Sequence, residues 1–189
     1  LIEDGDNRMS KNSKPKARIL ELLWLNNRPM SAKEIAGKLR LKSRSVNMHL
    51  LNLLKQGQLS KSKDEKYTIT EAGKVAIGFP ETDKKLAKKV LAKYPPQKSF
   101  HFYHGIGQPL GISSDCLADF SEKLKTLRLD SVEFHVSRGD FGMWVASLGD
   151  AELSKRLQTI RETGLTGEKL RKEIHKTVKS RCDELLAKS

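Results

Sequence analysis

Apolar positions recur at helical spacing along most of this chain. Over 15–27, Ile19, Leu20, Leu22, Leu23 and Trp24 form a broad apolar face and predict a first helix, ended by Asn26-Asn27-Arg28-Pro29. Ala32, Ile35, Ala36 and Leu39 predict a second, short helix. Ser31, followed three residues on by Glu34, is a capping box that would start it. Leu41-Lys42 interrupts the pattern and Ser43 is a candidate N-cap. Val46, Leu50, Leu53 and Leu54 then restart the stripe over 43–56. Gly57 suits the left-handed position after a helix. Two alternating runs, 59–62 and 67–69, flank Lys63-Asp64-Glu65-Lys66 and predict a hairpin with a charged tip. Thr70 would cap a helix opening at Glu71, with Val75 and Ile77 turned inward, before Gly78-Phe79-Pro80 breaks it. Over 83–93, Leu86, Val90 and Leu91 make a narrow stripe beside Lys84, Lys85, Lys88, Lys89 and Lys93. Tyr94-Pro95-Pro96-Gln97 ends that helix.

Beyond 98 the pattern changes. Phe100, Phe102 and Tyr103 cluster ahead of glycines 105, 107 and 111. This glycine-rich run lacks the Lys-Ser/Thr ending of a phosphate-binding loop and has no clear strand before it. Ser114 would cap a helix with Leu117, Phe120, Leu124 and Leu127 inward. Val132, Phe134 and Val136 alternate as in a strand, but without partner strands the segment reads as helix. Phe141, Trp144, Val145 and Leu148 follow at helical spacing. So do Leu153, Leu157 and Ile160, and then Leu170, Ile174, Val178 and Leu185 in a long last helix.

The segments around 32–39 and 43–56 are joined by so few residues that they must cross steeply, as in a helix-turn-helix. Outside the second stripe lie Arg44, Ser45, Asn47, Met48 and Asn52, with Lys42 and Ser43 at the helix entrance. Amides, hydroxyls and a guanidinium bond base edges in a major groove, and a methionine can touch a thymine methyl. The stretch resembles the winged helix-turn-helix family. The residues that carry the resemblance are Lys33-Glu34-Ile35-Ala36, Leu39, Ser45-Val46, His49-Leu50, Leu53, Gly57-Gln58-Leu59 and Tyr67-Thr68-Ile69-Thr70-Glu71-Ala72-Gly73. The match covers roughly 14–78. It implies DNA binding, with Lys61 and Lys63 of the wing joining Lys42 and Ser43 on phosphates. The bland alternative is a winged helix that binds protein.

The later half resembles a family classed only as a domain of unknown function, the DUF5752 type. Ser131, His135, Asp140-Phe141, Trp144-Val145, Leu148-Gly149, Leu153 and the opening Phe100-His101-Phe102 carry that likeness over about 99–185. This copy is shortened between His135 and Asp140. The resemblance implies a helical fold and no chemistry. The expected fold is therefore mainly α: an N-terminal winged helix of three helices and a small β-hairpin wing, then a mostly helical second domain. The expected division is a flexible arm at 1–13, the winged helix at 14–79, a basic linker helix at 80–97 and the helical domain at 98–189. Met9-Ser10-Lys11 reads as a native start, with a cloning remnant before it.

Charge sharpens this picture. The 189 residues carry 36 Lys+Arg against 23 Asp+Glu, a formal +13. Residues 1–97 hold 21 basic and 10 acidic side chains, and 98–189 hold 15 and 13, so the surplus sits with the expected DNA-binding half. A positive field favours a polyanion through counterion release. Lys11, Lys14, Lys16 and Arg18 are either a phosphate-touching arm or a solvated tail. The lysine-rich segment over 83–93 has three readings: a solvated connecting helix, a dimerisation helix, or a second phosphate-contacting surface. No apolar run approaches the ~18 residues of a membrane span, and no secretory signal stands out, so a soluble, cytoplasmic protein with no membrane partner is expected.

Catalytic chemistry is not evident. Cys116 and Cys182 make neither a disulfide framework nor a metal signature and read as buried, inert thiols. His101 and His104 have ligand spacing but no carboxylate or second pair nearby, so no metal and no cofactor are expected. His135, Arg138 and Asp140 form a candidate polar cluster, either ligand-binding or a structural network at a helix junction. The leading expectation is a sequence-specific regulator of transcription, not an enzyme. It would bind double-stranded DNA through helix 43–56 as a homodimer, with the second domain supplying dimerisation or an effector contact. The alternatives are a protein-interaction or nonspecific nucleic-acid module of a larger assembly, and a metabolite sensor or enzyme in the second domain.

Overall fold

The structure, a computed structural model, describes residues 9–189, with side chains from Pro15 onward. The cloning remnant and the part of the 1–13 arm expected before Met9, and the side chains of Lys11 and Lys14, lie outside the described residues. The described residues are mainly helical and divide between Glu81 and Thr82 into two compact units, each with its own core.

The first unit opens with α1 (Met9–Asn26), which begins six residues ahead of the expected start at Pro15. It takes in residues 9–13 of the expected arm. Ile19, Leu20, Leu23 and Trp24 of α1 are buried, and the Trp24 ring lies 4.8 Å from Phe79. Next come β1 (Met30–Ser31), α2 (Ala32–Leu39) and α3 (Ser43–Lys55). β2 (Leu59–Lys61), β3 (Lys66–Ile69) and α4 (Glu71–Ala76) complete the unit. The capping box forms as expected: Ser31 Oγ accepts from the Glu34 amide at 3.3 Å, and Glu34 Oε2 accepts from the Ser31 amide at 2.8 Å. Those bonds and Arg28 hold the Glu34 carboxyl down at about 2.

The hairpin is part of a three-stranded antiparallel sheet ordered β1-β3-β2, because Met30 pairs with Tyr67 and Ser31 with Lys66. Two residues are too few for alternation to reveal β1. Ile77 packs half-buried against the core as expected, but the inward turn expected for Val75 is corrected, since it is exposed. α4 instead faces inward through Gly73, where a Cβ would lie 2.2 Å from the Gln58 carbonyl oxygen.

The second unit begins with α5 (Lys84–Leu91), N-capped by Asp83, which accepts from the Leu86 amide at 2.7 Å. A short 3-10 turn at Pro96–Lys98 leads into the antiparallel hairpin β4 (Phe100–Gly105) and β5 (Gln108–Ser114). The remaining helices are α6 (Leu117–Leu124), α7 (Leu129–Arg138), α8 (Asp140–Leu148), α9 (Ala151–Glu162) and α10 (Gly167–Leu186). The hairpin was not expected, and the glycine-rich run is its turn and bulge: Gly107 and Gly111 have φ +71 and +69. Ser114 therefore ends a strand, and Cys116 takes the N-cap expected of it without a side-chain bond.

The linker expected at 80–97 is also corrected. Ala87 and Val90 are fully buried in the same core as Phe102, Phe120 and Leu148, so α5 belongs to the second unit. Charge follows it. Residues 1–81 carry 16 basic and 9 acidic side chains and 82–189 carry 20 and 14, surpluses of 7 and 6. The asymmetry at residue 97 came from assigning the α5 lysines to the wrong unit. Among the described residues no helix is long and apolar enough to cross a membrane.

Candidate nucleic-acid interface

α2 and α3 are joined by three residues, 40–42. Arg40 takes the left-handed conformation at φ 54, and its amide and that of Leu41 bond back to Gly37 and Ala36, which closes α2 tightly. Arg18 Nη2 donates to the Leu39 carbonyl at the same turn, at 3.3 Å, so this arginine has a structural partner. Lys42, and not Ser43, is the N-cap of α3, and no side chain caps it. The other end is a Schellman motif: Gly57 (φ +66) donates to Leu54 and Gln58 to Leu53.

Between these caps α3 buries Val46, His49, Leu50 and Leu53. Lys42, Ser43, Arg44, Asn47, Met48 and Asn52 are exposed, whereas Ser45 is half-buried. Arg44, Met48, Leu51 and Lys55 follow one another at helical spacing down the outer face. Leu51, 60 % exposed, is the residue that pattern reading passed over, hidden beside Leu50, Leu53 and Leu54. Met48 beside it is 55 % exposed. At the hairpin, Lys63 is exposed at the tip, but Lys61 is engaged: its Nζ lies 2.5 Å from Glu65 Oε1 and over the Tyr67 ring. That ion pair raises the lysine pKa and reduces the charge Lys61 can offer a phosphate. The site is therefore an outward helix face of mixed amide, guanidinium and apolar groups.

The second constellation does come together. His135 Nε2 accepts from the Tyr103 amide at 2.8 Å, so Nδ1 carries the proton and donates to Asp140 Oδ2 at 2.8 Å. Arg138 Nε reaches the same oxygen at 3.1 Å. Ser131, one turn before His135 on α7, donates to the Tyr103 carbonyl at 2.7 Å. Two side chains of α7 thus hold both backbone groups of Tyr103 and fix β4 against the helix. Burial lowers the His135 pKa against the pull of Asp140. Beside this pin lies a cleft of about 380 Å³ walled by Phe100, Phe134, the Gly105-Ile106-Gly107 turn and Arg138. The expected cluster is real, and its buried part is already satisfied by the fold. Tyr103 and Ser131 were singled out for other reasons, and their bonds to each other and to His135 were not expected, because a backbone partner leaves no trace in residue type.

His101 Nε2 lies 3.0 Å from the Pro96 carbonyl oxygen. Both cysteines are buried, and burial pushes the Cys182 thiol up to about 12. The chain matches no protein family, no curated protein and no solved structure.

Proposed function

We propose that the first unit is a winged helix-turn-helix module that binds double-stranded DNA, and that the protein regulates transcription. α3 enters the major groove. Arg44, Asn47, Met48 and Asn52 approach base edges, Ser45 lies at the margin, and Lys42, Ser43 and Lys63 rest on phosphates. Lys61, already paired with Glu65, contributes less. The observation that carries this reading is the solvent-facing side of α3, which sets an exposed guanidinium and two exposed amides beside basic residues at the helix entrance. On this reading the β2–β3 hairpin is the wing. The second unit, with its likeness to the DUF5752 type, serves homodimerisation or an effector or protein contact.

The test is a binding-site selection from randomised duplexes, followed by titration of the selected site and of random duplex. Arg44→Ala is expected to cost about 1–3 kcal/mol on the selected site and far less on random duplex. Equal loss on both removes base reading from the proposal. The exposed pair Met48 and Leu51 supports a second reading, in which α3 docks on a protein partner within a larger assembly. Failure to enrich any sequence, together with retained binding of such a partner, would select that reading.

A further inference from the structure

α5 offers its two sides to different tasks. Ala87 and Val90 are fully buried in the second unit's core, and Leu86 and Leu91 pack against it. The apolar stripe is thus occupied within the chain, which removes the dimerisation reading of this helix, and its place in the core removes the connecting-helix reading. Lys84, Lys85, Lys88 and Lys89 are exposed, the Lys89 ammonium lying beside Gly149 at the end of α8. Among the described residues none of their ammonium groups has an ion pair or hydrogen bond, although elsewhere in this unit Lys123, Lys125 and Lys179 each meet a carboxylate within their own helix. Lys84 and Lys88, and Lys85 and Lys89, are like-charge neighbours one turn apart, an arrangement that destabilises a helix. Lys93, 82 % exposed and 3.8 Å from Asp115, extends the patch. Of the two acids just ahead of α5, Asp83 is committed to capping it, and Glu81 is exposed before the cap.

We infer that this lysine face of α5 is a second polyanion contact, a sequence-independent seat for the phosphodiester backbone of a nucleic acid. An eight-residue helix is about 12 Å long, and duplex DNA carries about seven charges over that length. A lipid surface fits less well, because interfacial helices hold by inserting an apolar face and α5 has already buried its own. The inference does not rest on α3 reading bases, since its partner is backbone of any sequence.

The experiment uses the full chain and a short random-sequence duplex, with affinity measured by anisotropy between about 50 and 200 mM salt. Replacing Lys84, Lys85, Lys88 and Lys89 together by glutamine is expected to make the slope of log K against log salt shallower by about 2–4. The fold should survive, because the four side chains are exposed and glutamine suits a helix. The unaltered chain supplies an independent measurement. Acylation of those lysines should slow several-fold when duplex is present, while Lys125 and Lys155 keep their rates. Arg44→Ala should leave that protection in place, so failure of the α3 reading and failure of this one are separable. An unchanged slope or unprotected lysines would overturn the inference. So would loss of binding to phosphatidylserine vesicles with duplex binding intact, which would assign the patch to a membrane surface.

Discussion

His135 is the residue whose surroundings make the clearest chemical demand. It is 3 % exposed and neutral, with Nε2 accepting and Nδ1 donating. A proton on Nε2 would set two donors against each other, N–H of the ring and N–H of Tyr103. The folded pKa is lowered, so between the unfolded value near 6.5 and the lowered folded value the unfolded chain binds the proton more readily. Stability from this group is complete above about 6.5 and falls as pH drops below it. His135→Phe should flatten the change in urea midpoint between pH 7.5 and 5.5. At pH 7.5 it should cost about 1–3 kcal/mol, because Tyr103 N–H and Asp140 lose a partner. A variant that keeps the wild-type pH profile would move that titration to another group. Sequence grouped His135, Arg138 and Asp140 as polar side chains within six positions of one another. It did not assign the histidine's second bond, because the acceptor's partner is a backbone amide 32 positions away.

At the scale of elements, the start of the second unit is tied to its end by charge. Arg181 on α10 grips Asp150 through Nε at 2.7 Å and Nη2 at 3.1 Å, Glu152 through Nη1 at 2.8 Å, and the Thr82 hydroxyl at 3.2 Å. Burial opposes the charge on Arg181, but the bonds and field of Asp150, Glu152 and Glu184 outweigh it and hold the pKa above the usual arginine value. Arg181→Met would take the guanidinium from buried Asp150 and leave buried Glu152 with Arg156. We expect a loss of about 3–5 kcal/mol in the unfolding transition of this unit, measured by urea denaturation. A loss below about 1 kcal/mol would show that water or other cations replace the guanidinium. The periodicity of α10 is plain from Leu170, Ile174, Val178 and Leu185, whereas nothing in the pattern sets Arg181 apart from the other charges of that helix. The hairpin is the reverse case. Phe100-His101-Phe102 does alternate, and Gly105-Ile106-Gly107 does turn, but His104 and the bulge at Gly111 break the period before it can be read.

For the whole molecule, the division at Glu81 and Thr82 can be tested by dissection. A fragment of 82–189 should fold with a cooperative thermal transition. A fragment of 98–189, cut where proline and composition point, should not, because it lacks Ala87, Val90 and the Thr82 hydroxyl that meets Arg181. Circular dichroism and amide dispersion in NMR spectra distinguish the two, and equal behaviour would remove α5 from the core. The sequence alone determined the helical character of most segments, the capping box at Ser31 and Glu34, and the polar flank of α3. These depend on neighbours within a turn or two, and local chemistry dictates them. Tertiary structure decided where α5 belongs, that its lysines stay exposed, that Leu51 faces outward, and that β4 is pinned to α7. Each of those depends on what another segment brings alongside, and a pattern along one strand of sequence carries no record of its partner in space.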